Sequence, residues 1–232
     1  MESKIEKIEK FIISERLTLE ELSAYCALMQ KQREEEEARQ KVAELFPADD
    51  VRSKALLYDY VFEGGKFSTD PNAYPNCQGV VGWINSNPNA QEGDKIYVVL
   101  PKQTSLVYCA SGCETGADDL YDGRANTLKL IKFGKKHGIK FYAAEYACNY
   151  TENGIKQCEA FLPAREQLVR LCENRERLRE TLKKIGGDFD GFLISSSEYD
   201  SVHSWYVNSN NGEVERFYKF FWESKVSCIL AY

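Results

Sequence analysis

The order of periodicities along the 232 residues predicts an α+β domain preceded by a helical segment. Three observations carry that prediction. Short apolar runs separated by turn residues begin near Tyr58. Helical spacing takes over between about Asn126 and Leu182, and strand-like pieces return from Phe192 to Tyr232.

The first 50 residues read as a helical hairpin or an oligomerisation segment. Ile5, Ile8, Phe11 and Ile12 recur at helical spacing. Thr18-Leu-Glu-Glu21 is a capping box, in which the hydroxyl accepts from the N3 amide while Glu21 reaches back. The helix it opens carries Leu22, Tyr25, Cys26 and Met29 on one face. The run Glu34–Glu37 then reads as a solvated face, and Val42, Leu45 and Phe46 give an apolar edge before Pro47. Leu17–Leu22 is faintly similar to the opening helix of a helix-turn-helix, yet no basic recognition helix follows.

Residues 55–232 form the second predicted domain. Tyr58–Phe62 and Lys66–Ser68 flank Gly64-Gly65 as a hairpin, and Gly79–Ile84 and Lys95–Leu100 are two further strands joined by the polar loop Asn85–Asp94. Asn126–Gly134 and Phe141–Asn149 are helical, and Pro163–Leu182 reads as one helix with Leu168, Leu171, Leu178 and Leu182 on its face, ended at Gly186-Gly187. Strands are expected at Phe192–Ser196, Ser204–Asn208, Glu213–Phe221 and Ser227–Tyr232, with Asn208–Gly212 as a hairpin turn.

Composition narrows the function. A net charge of −6 without a basic stripe argues against a nucleic-acid partner. The N-terminus has no apolar signal region, and no window is long enough to span a membrane, so the expected location is cytoplasmic or within an assembled phage particle. In that setting the eight cysteines are expected to be reduced and mostly buried. Cys109 and Cys113 have three residues between them and no histidine nearby, which disfavours zinc; the acidic turn Asp118–Gly123 lacks the alternation of a calcium loop. No metal or cofactor is expected. His203 lacks a recognisable nucleophile, and His137 reads as a surface residue ending a helix.

The run Arg216-Phe-Tyr-Lys-Phe-Phe-Trp222 carries the functional expectation. In a half-buried strand, side chains alternate between faces, so these aromatic rings cannot all point inward. Some must be exposed or covered by a partner, and Tyr, Trp and Arg dominate binding hot spots.

A series of short motifs adds a resemblance. In order they are Tyr60–Ser68, Cys77–Ile84, Asp122-Gly-Arg-Ala-Asn-Thr127, Ala143–Cys148, Ala160–Leu168, Ile194-Ser-Ser-Ser-Glu-Tyr199, Ser204-Trp-Tyr-Val-Asn208 and Asn211-Gly212. Together they resemble the family typified by the C-terminal domain of collagen-like bacterial adhesins, as in variable proteins of diversity-generating retroelements. The resemblance covers roughly residues 58–232 and implies a C-type-lectin-like fold: a small twisted antiparallel sheet with two flanking helices. It also implies a solvent-facing ligand surface made of Tyr199, Asp200, Val202, His203, Asn208, Asn210, Glu215, Arg216, Phe217, Tyr218, Phe220, Phe221 and Trp222. Trp205 and Tyr206 are expected to pack the scaffold. The family's basic and proline-bearing ending is replaced here by Lys225-Val-Ser-Cys228. Catalytic relatives use a cysteine pair late in the domain, but Cys228 has no sequence neighbour, and a buried thiol facing Cys148 is the expectation. The function expected is non-catalytic: display of a binding surface for an unknown protein or surface ligand. The alternative is a structural subunit of a phage or surface appendage that uses the same surface for subunit contacts, with the N-terminal helices driving homo-oligomerisation.

Overall fold

Strands that are apolar at successive positions have to be covered on both faces, and this requirement organises the molecule. The computed structural model describes residues 55–85 and 96–232, with residue 30 besides. The chain divides into two units, Met1–Pro47 and Ala48–Tyr232. The capping box, the Glu34–Glu37 run, the other readings of the first unit and the loop from residue 86 to 95 lie outside the described residues.

Eight strands form one sheet: β1 (Tyr60–Phe62), β2 (Lys66–Ser68), β3 (Cys77–Ile84), β4 (Ile96–Leu106), β5 (Phe192–Glu198), β6 (His203–Asn208), β7 (Val214–Tyr218) and β8 (Ser224–Ala231). Their spatial order is β2-β1-β3-β4-β8-β5-β6-β7. Every pairing is antiparallel except β5 with β8. Between β4 and β5 lie the helices α1 (Gly123–His137), α2 (Tyr142–Cys148), α3 (Arg165–Cys172) and α4 (Arg175–Lys183).

Alternation along the strands divides the core in two. Val81, Val98, Ile194, Tyr206, Cys228 and Leu230 pack with Leu130, Phe141 and Ala144 of the α1–α2 region. Their neighbours Val80, Val99, Leu193, Val207 and Ile229 pack with Leu168, Leu171, Leu178 and Leu182 of α3 and α4. Gly79 and Gly82 allow close approach: a Cβ at Gly79 would lie 2.3 Å from the Val99 carbonyl oxygen, and one at Gly82 2.6 Å from Leu171.

The α+β class agrees with the sequence, and a strand lies at each of the eight expected places, but the sheet is larger than the small one the resemblance implies, and four described helices stand in place of its two. Strands β1–β3 lengthen the sheet, and both of its faces carry a helical cover. Pro163–Leu182 is not one helix. Asn174 has φ −119° and ψ 26°, which breaks it into α3 and α4, although all four leucines face the sheet. α1 begins where the Asp122 side chain accepts from the Ala125 amide and ends at Gly138 in the left-handed region.

Four of the resemblance motif stretches carry structural work that spacing alone does not reveal. Asn126 Nδ2 donates to the Asp119 carbonyl oxygen at 2.6 Å and lies 3.3 Å from Ser196 Oγ and 3.4 Å from Ser197 Oγ. Thr127 Oγ1 accepts from the Leu162 amide, Gln167 Oε1 accepts from the amides of Gly123 and Ala164, and Ser197 Oγ accepts from the Arg165 amide. Gln78 Nε2 and Asn153 Nδ2 exchange bonds with the Asn153 and Cys77 carbonyl oxygens. Buried polar groups are thus paired across α1, α3, β3 and β5.

One cysteine expectation is overturned. Cys148 is bonded to Cys158 as a disulfide rather than facing Cys228 as a reduced thiol, and the Cys158 amide donates to the Cys148 carbonyl at 2.7 Å. The turn Glu152–Gly154 brings the two residues together, and Cys158 adopts φ 61° to meet its partner. Closing so short a loop removes denatured-state freedom, so reduction with dithiothreitol is expected to lower stability by about 2.5 kcal/mol in urea unfolding.

Candidate functional site

The C-terminal surface is built on the hairpin β6–β7 at one edge of the sheet. Its register sets His203 opposite Tyr218, Trp205 opposite Arg216, and Tyr206 opposite Glu215. Tyr206 is buried in the core on the α1–α2 side. His203 and Trp205 therefore project to the other face, with Tyr218 and Arg216 beside them.

On that face the rings and cations interlock. Tyr199 meets Trp205 edge to face at 4.8 Å, and the Arg216 guanidinium lies 4.7 Å above the Tyr199 ring. Arg165, from α3, lies 5.0 Å from the Trp205 ring and is paired with Glu166. His203 and Tyr218 are 4.5 Å apart between ring centroids. Cation–π pairs of this kind hold a guanidinium in place while leaving its edge available.

The turn after β7 carries a second group of rings. Trp222 stacks on Phe217 at 4.9 Å, and Phe220 and Phe221 lie 4.4 Å apart. Tyr199, Tyr218, Phe221 and Trp222 are 44%, 52%, 76% and 47% exposed. Phe220 is half-buried over Gly112, where a Cβ would approach its Cε1 to 3.2 Å.

A buried ion pair holds this turn. Lys219 and Glu198 are both buried, with Nζ to Oε1 at 2.7 Å. Glu198 Oε2 accepts from the amides of Thr115 and Gly116, and Lys219 Nζ donates to the Cys113 carbonyl oxygen at 2.7 Å. The backbone of Lys219 joins Val202 and Cys109. One residue thereby ties the turn after β7 to β5, to the start of β6 and to the loop before α1.

The thirteen residues assigned to the surface from the sequence do not form one site. Tyr199, His203, Arg216 and Tyr218 share a face, Phe220 and Phe221 adjoin it at the turn beside Tyr218, and Trp222 stacks on Phe217 on the opposite side. Phe217 points toward the core, making edge contacts with Tyr206 and Phe192. Glu215 is half-buried on the side away from Arg216. Val202 is half-buried against Gly112. Asn208 and Asn210 lie at the far end of β6, where Asn208 Oδ1 accepts from the Asn210 amide and Asn210 Oδ1 from Arg179. A six-residue strand separates them from His203 by roughly 17 Å.

Asp200 pairs with the His203 Nδ1 at 2.9 Å and accepts from the Val202 and His203 amides. Burial pushes its carboxyl up, but these hydrogen bonds outweigh that effect and hold it below the usual carboxylate value. Sequence reasoning missed Trp205, Arg165, Lys219 and Glu198. Trp205 shares the face of His203, which period-2 alternation from the buried Tyr206 predicts; the three charged residues needed the fold.

Three buried cysteines are held in the thiol form. Burial pushes the Cys109 and Cys172 thiols up to about 12, and Cys228 is raised as well. Among the described residues no group of three or more His, Cys, Asp or Glu is placed to hold a metal ion. The acidic turn uses Asp119 and Asp122 to accept backbone amides.

No family model matches the chain, and no curated protein matches it. Among solved structures it is similar to a fimbrial protein from Bacteroides ovatus, with a TM-score of 0.62 and 13% identity over 77% of this chain and 49% of that one. The chain spans about half the length of that protein. The likeness defines a shared α+β fold. No helix among the described residues is long and apolar enough to cross a membrane.

Two outcomes are expected. Lys219→Met leaves Glu198 buried without its cation and should cost about 3–5 kcal/mol in urea unfolding, most of it recovered when Glu198→Gln is added. Cys109, Cys172 and Cys228 should resist iodoacetamide at about pH 8 in the native protein, because their thiolate fractions are very small, and react once urea unfolds it.

Proposed function

We propose that this protein is a non-catalytic subunit of a bacterial surface appendage that contacts a partner through the exposed rings around β7. The observation that carries this reading is the exposure of Tyr199, Tyr218, Phe221 and Trp222 around a hairpin whose backbone is fixed by the core. Large rings on a rigid frame bind with little loss of side-chain freedom. The likeness to a fimbrial protein supports an appendage role, and the Cys148–Cys158 disulfide fits an oxidising location better than a cytoplasmic one. Absence of chemistry is part of the proposal: His203 is engaged by Asp200, and the Cys228 thiol is fully buried.

A second reading is supported by the same exposure. On a C-type-lectin-like scaffold of the kind found in retroelement variable proteins, such rings display changeable ligand contacts. A near-repeat of the DNA encoding the last forty or so codons, differing at adenines and beside a reverse transcriptase gene, would favour it.

The test replaces Tyr199, Tyr218, Phe221 and Trp222 together by alanine in the full chain. Thermal midpoint should stay within a few degrees, since these side chains lie mostly outside the core. Incorporation into the appendage fraction sheared from native host cells should be lost. Unimpaired incorporation would sink the appendage-contact reading. Phe217→Ala is the contrast, and it should destabilise by about 2–3 kcal/mol because its ring packs on Tyr206.

A further inference from the structure

Among the described residues β7 ends the sheet, and no described strand lies beside its outer edge. The Lys219 amide donates inward to Val202, and the Asn208 amide to Glu213. Backbone groups alternate along an antiparallel strand. Glu213, Glu215, Phe217 and Lys219 therefore face β6, while the N–H and C=O groups of Val214, Arg216 and Tyr218 point outward. These residues place their side chains on the aromatic face, and no described residue hydrogen-bonds their backbone.

Arg216 adds a second, independent observation. Its guanidinium lies over Tyr199 and makes no hydrogen bond or ion pair with any described residue. Arg165, the other guanidinium of the face, is already paired with Glu166, and His203 with Asp200. Arg216 thus offers a preorganised fork of donors for a carboxylate, level with the backbone groups of the open edge. Apolar Val214 and Tyr218, 38% and 52% exposed, lie on either side of it.

We propose that β7 binds an extended acidic segment of a different polypeptide as a ninth, antiparallel strand, with a carboxylate opposite Arg216 and apolar side chains opposite Val214 and Tyr218. The inference rests on the partner-contact reading and specifies how that contact is made. A second copy of β7 fits less well. Matching all three edge residues sets Arg216 against Arg216. Sliding one copy by two residues leaves only two edge residues in the ladder, and in one direction sets Glu215 against Glu215. Charge complementarity therefore selects an acidic partner over a copy of this chain.

The probe is a labelled, end-capped seven-residue peptide alternating threonine and valine with a central glutamate, and its twin with a central lysine. Fluorescence anisotropy on the full chain should show saturable binding of the glutamate peptide, roughly tenfold tighter than the lysine peptide. Arg216→Glu should reverse that preference. Val214→Pro removes only an outward-facing N–H, so it should weaken both peptides while leaving the thermal midpoint nearly unchanged. Several outcomes overturn the proposal: no saturable binding up to roughly millimolar peptide, an unchanged preference in Arg216→Glu, or full binding by Val214→Pro. A dimer in sedimentation that Val214→Pro dissociates would make a second copy the occupant and also overturn it. If the four-alanine variant loses incorporation while Arg216→Glu and Val214→Pro retain it, the appendage reading stands and the strand proposal falls.

Discussion

The buried pair Lys219–Glu198 is the constraint on which the C-terminal surface depends. Neither charge reaches water, so each must be met in full by the protein. Glu198 is satisfied by Lys219 and by two amides of the loop before α1, and Lys219 also donates to the Cys113 carbonyl. Any movement of the turn at 219–222 would strand a charge in the interior. That requirement fixes the place from which Phe220, Phe221 and Trp222 project, although the turn itself has little regular structure.

Division of labour between the two faces of β6–β7 follows from the same anchoring. On one side Tyr206 and Phe217 close the core, with Trp222 laid over Phe217 as a lid on its edge. On the other side Tyr199, Trp205 and Tyr218 meet Arg165, Arg216 and His203 in ring-to-ring and ring-to-cation contacts. These contacts are mutual, so the exposed side chains are partly ordered, which would reduce the entropy lost in the proposed contact. The sheet edge supplies main-chain groups beside them.

Most element positions were legible from local pattern. The hairpin β1–β2 at Gly64-Gly65, the strands around Val80 and Val98, and the turn Asn208–Gly212 follow from alternation and turn chemistry acting over a few residues. The break at Asn174 was not legible, because the leucine spacing of α3 and α4 continues across it. The cysteine partner of Cys148 was misassigned because pairing depends on the turn at Glu152–Gly154, which spacing does not reveal. The motif stretches around Asn126, Gln167 and Ser197 were recognised as a series, yet their shared hydrogen-bond network appears only when α1, α3 and β5 are brought together.

The sequence by itself determined that too many rings crowd residues 216–222 for all to be buried, since a strand has only two faces. It also determined the α+β class, through the order of its periodicities. Tertiary structure alone decided which rings face outward, because that depends on β7 being an edge strand with Tyr206 turned into the core. It likewise decided that Lys219, a residue that reads as surface in any local pattern, lies inside, because its partner Glu198 is 21 positions away in sequence and adjacent only in the fold.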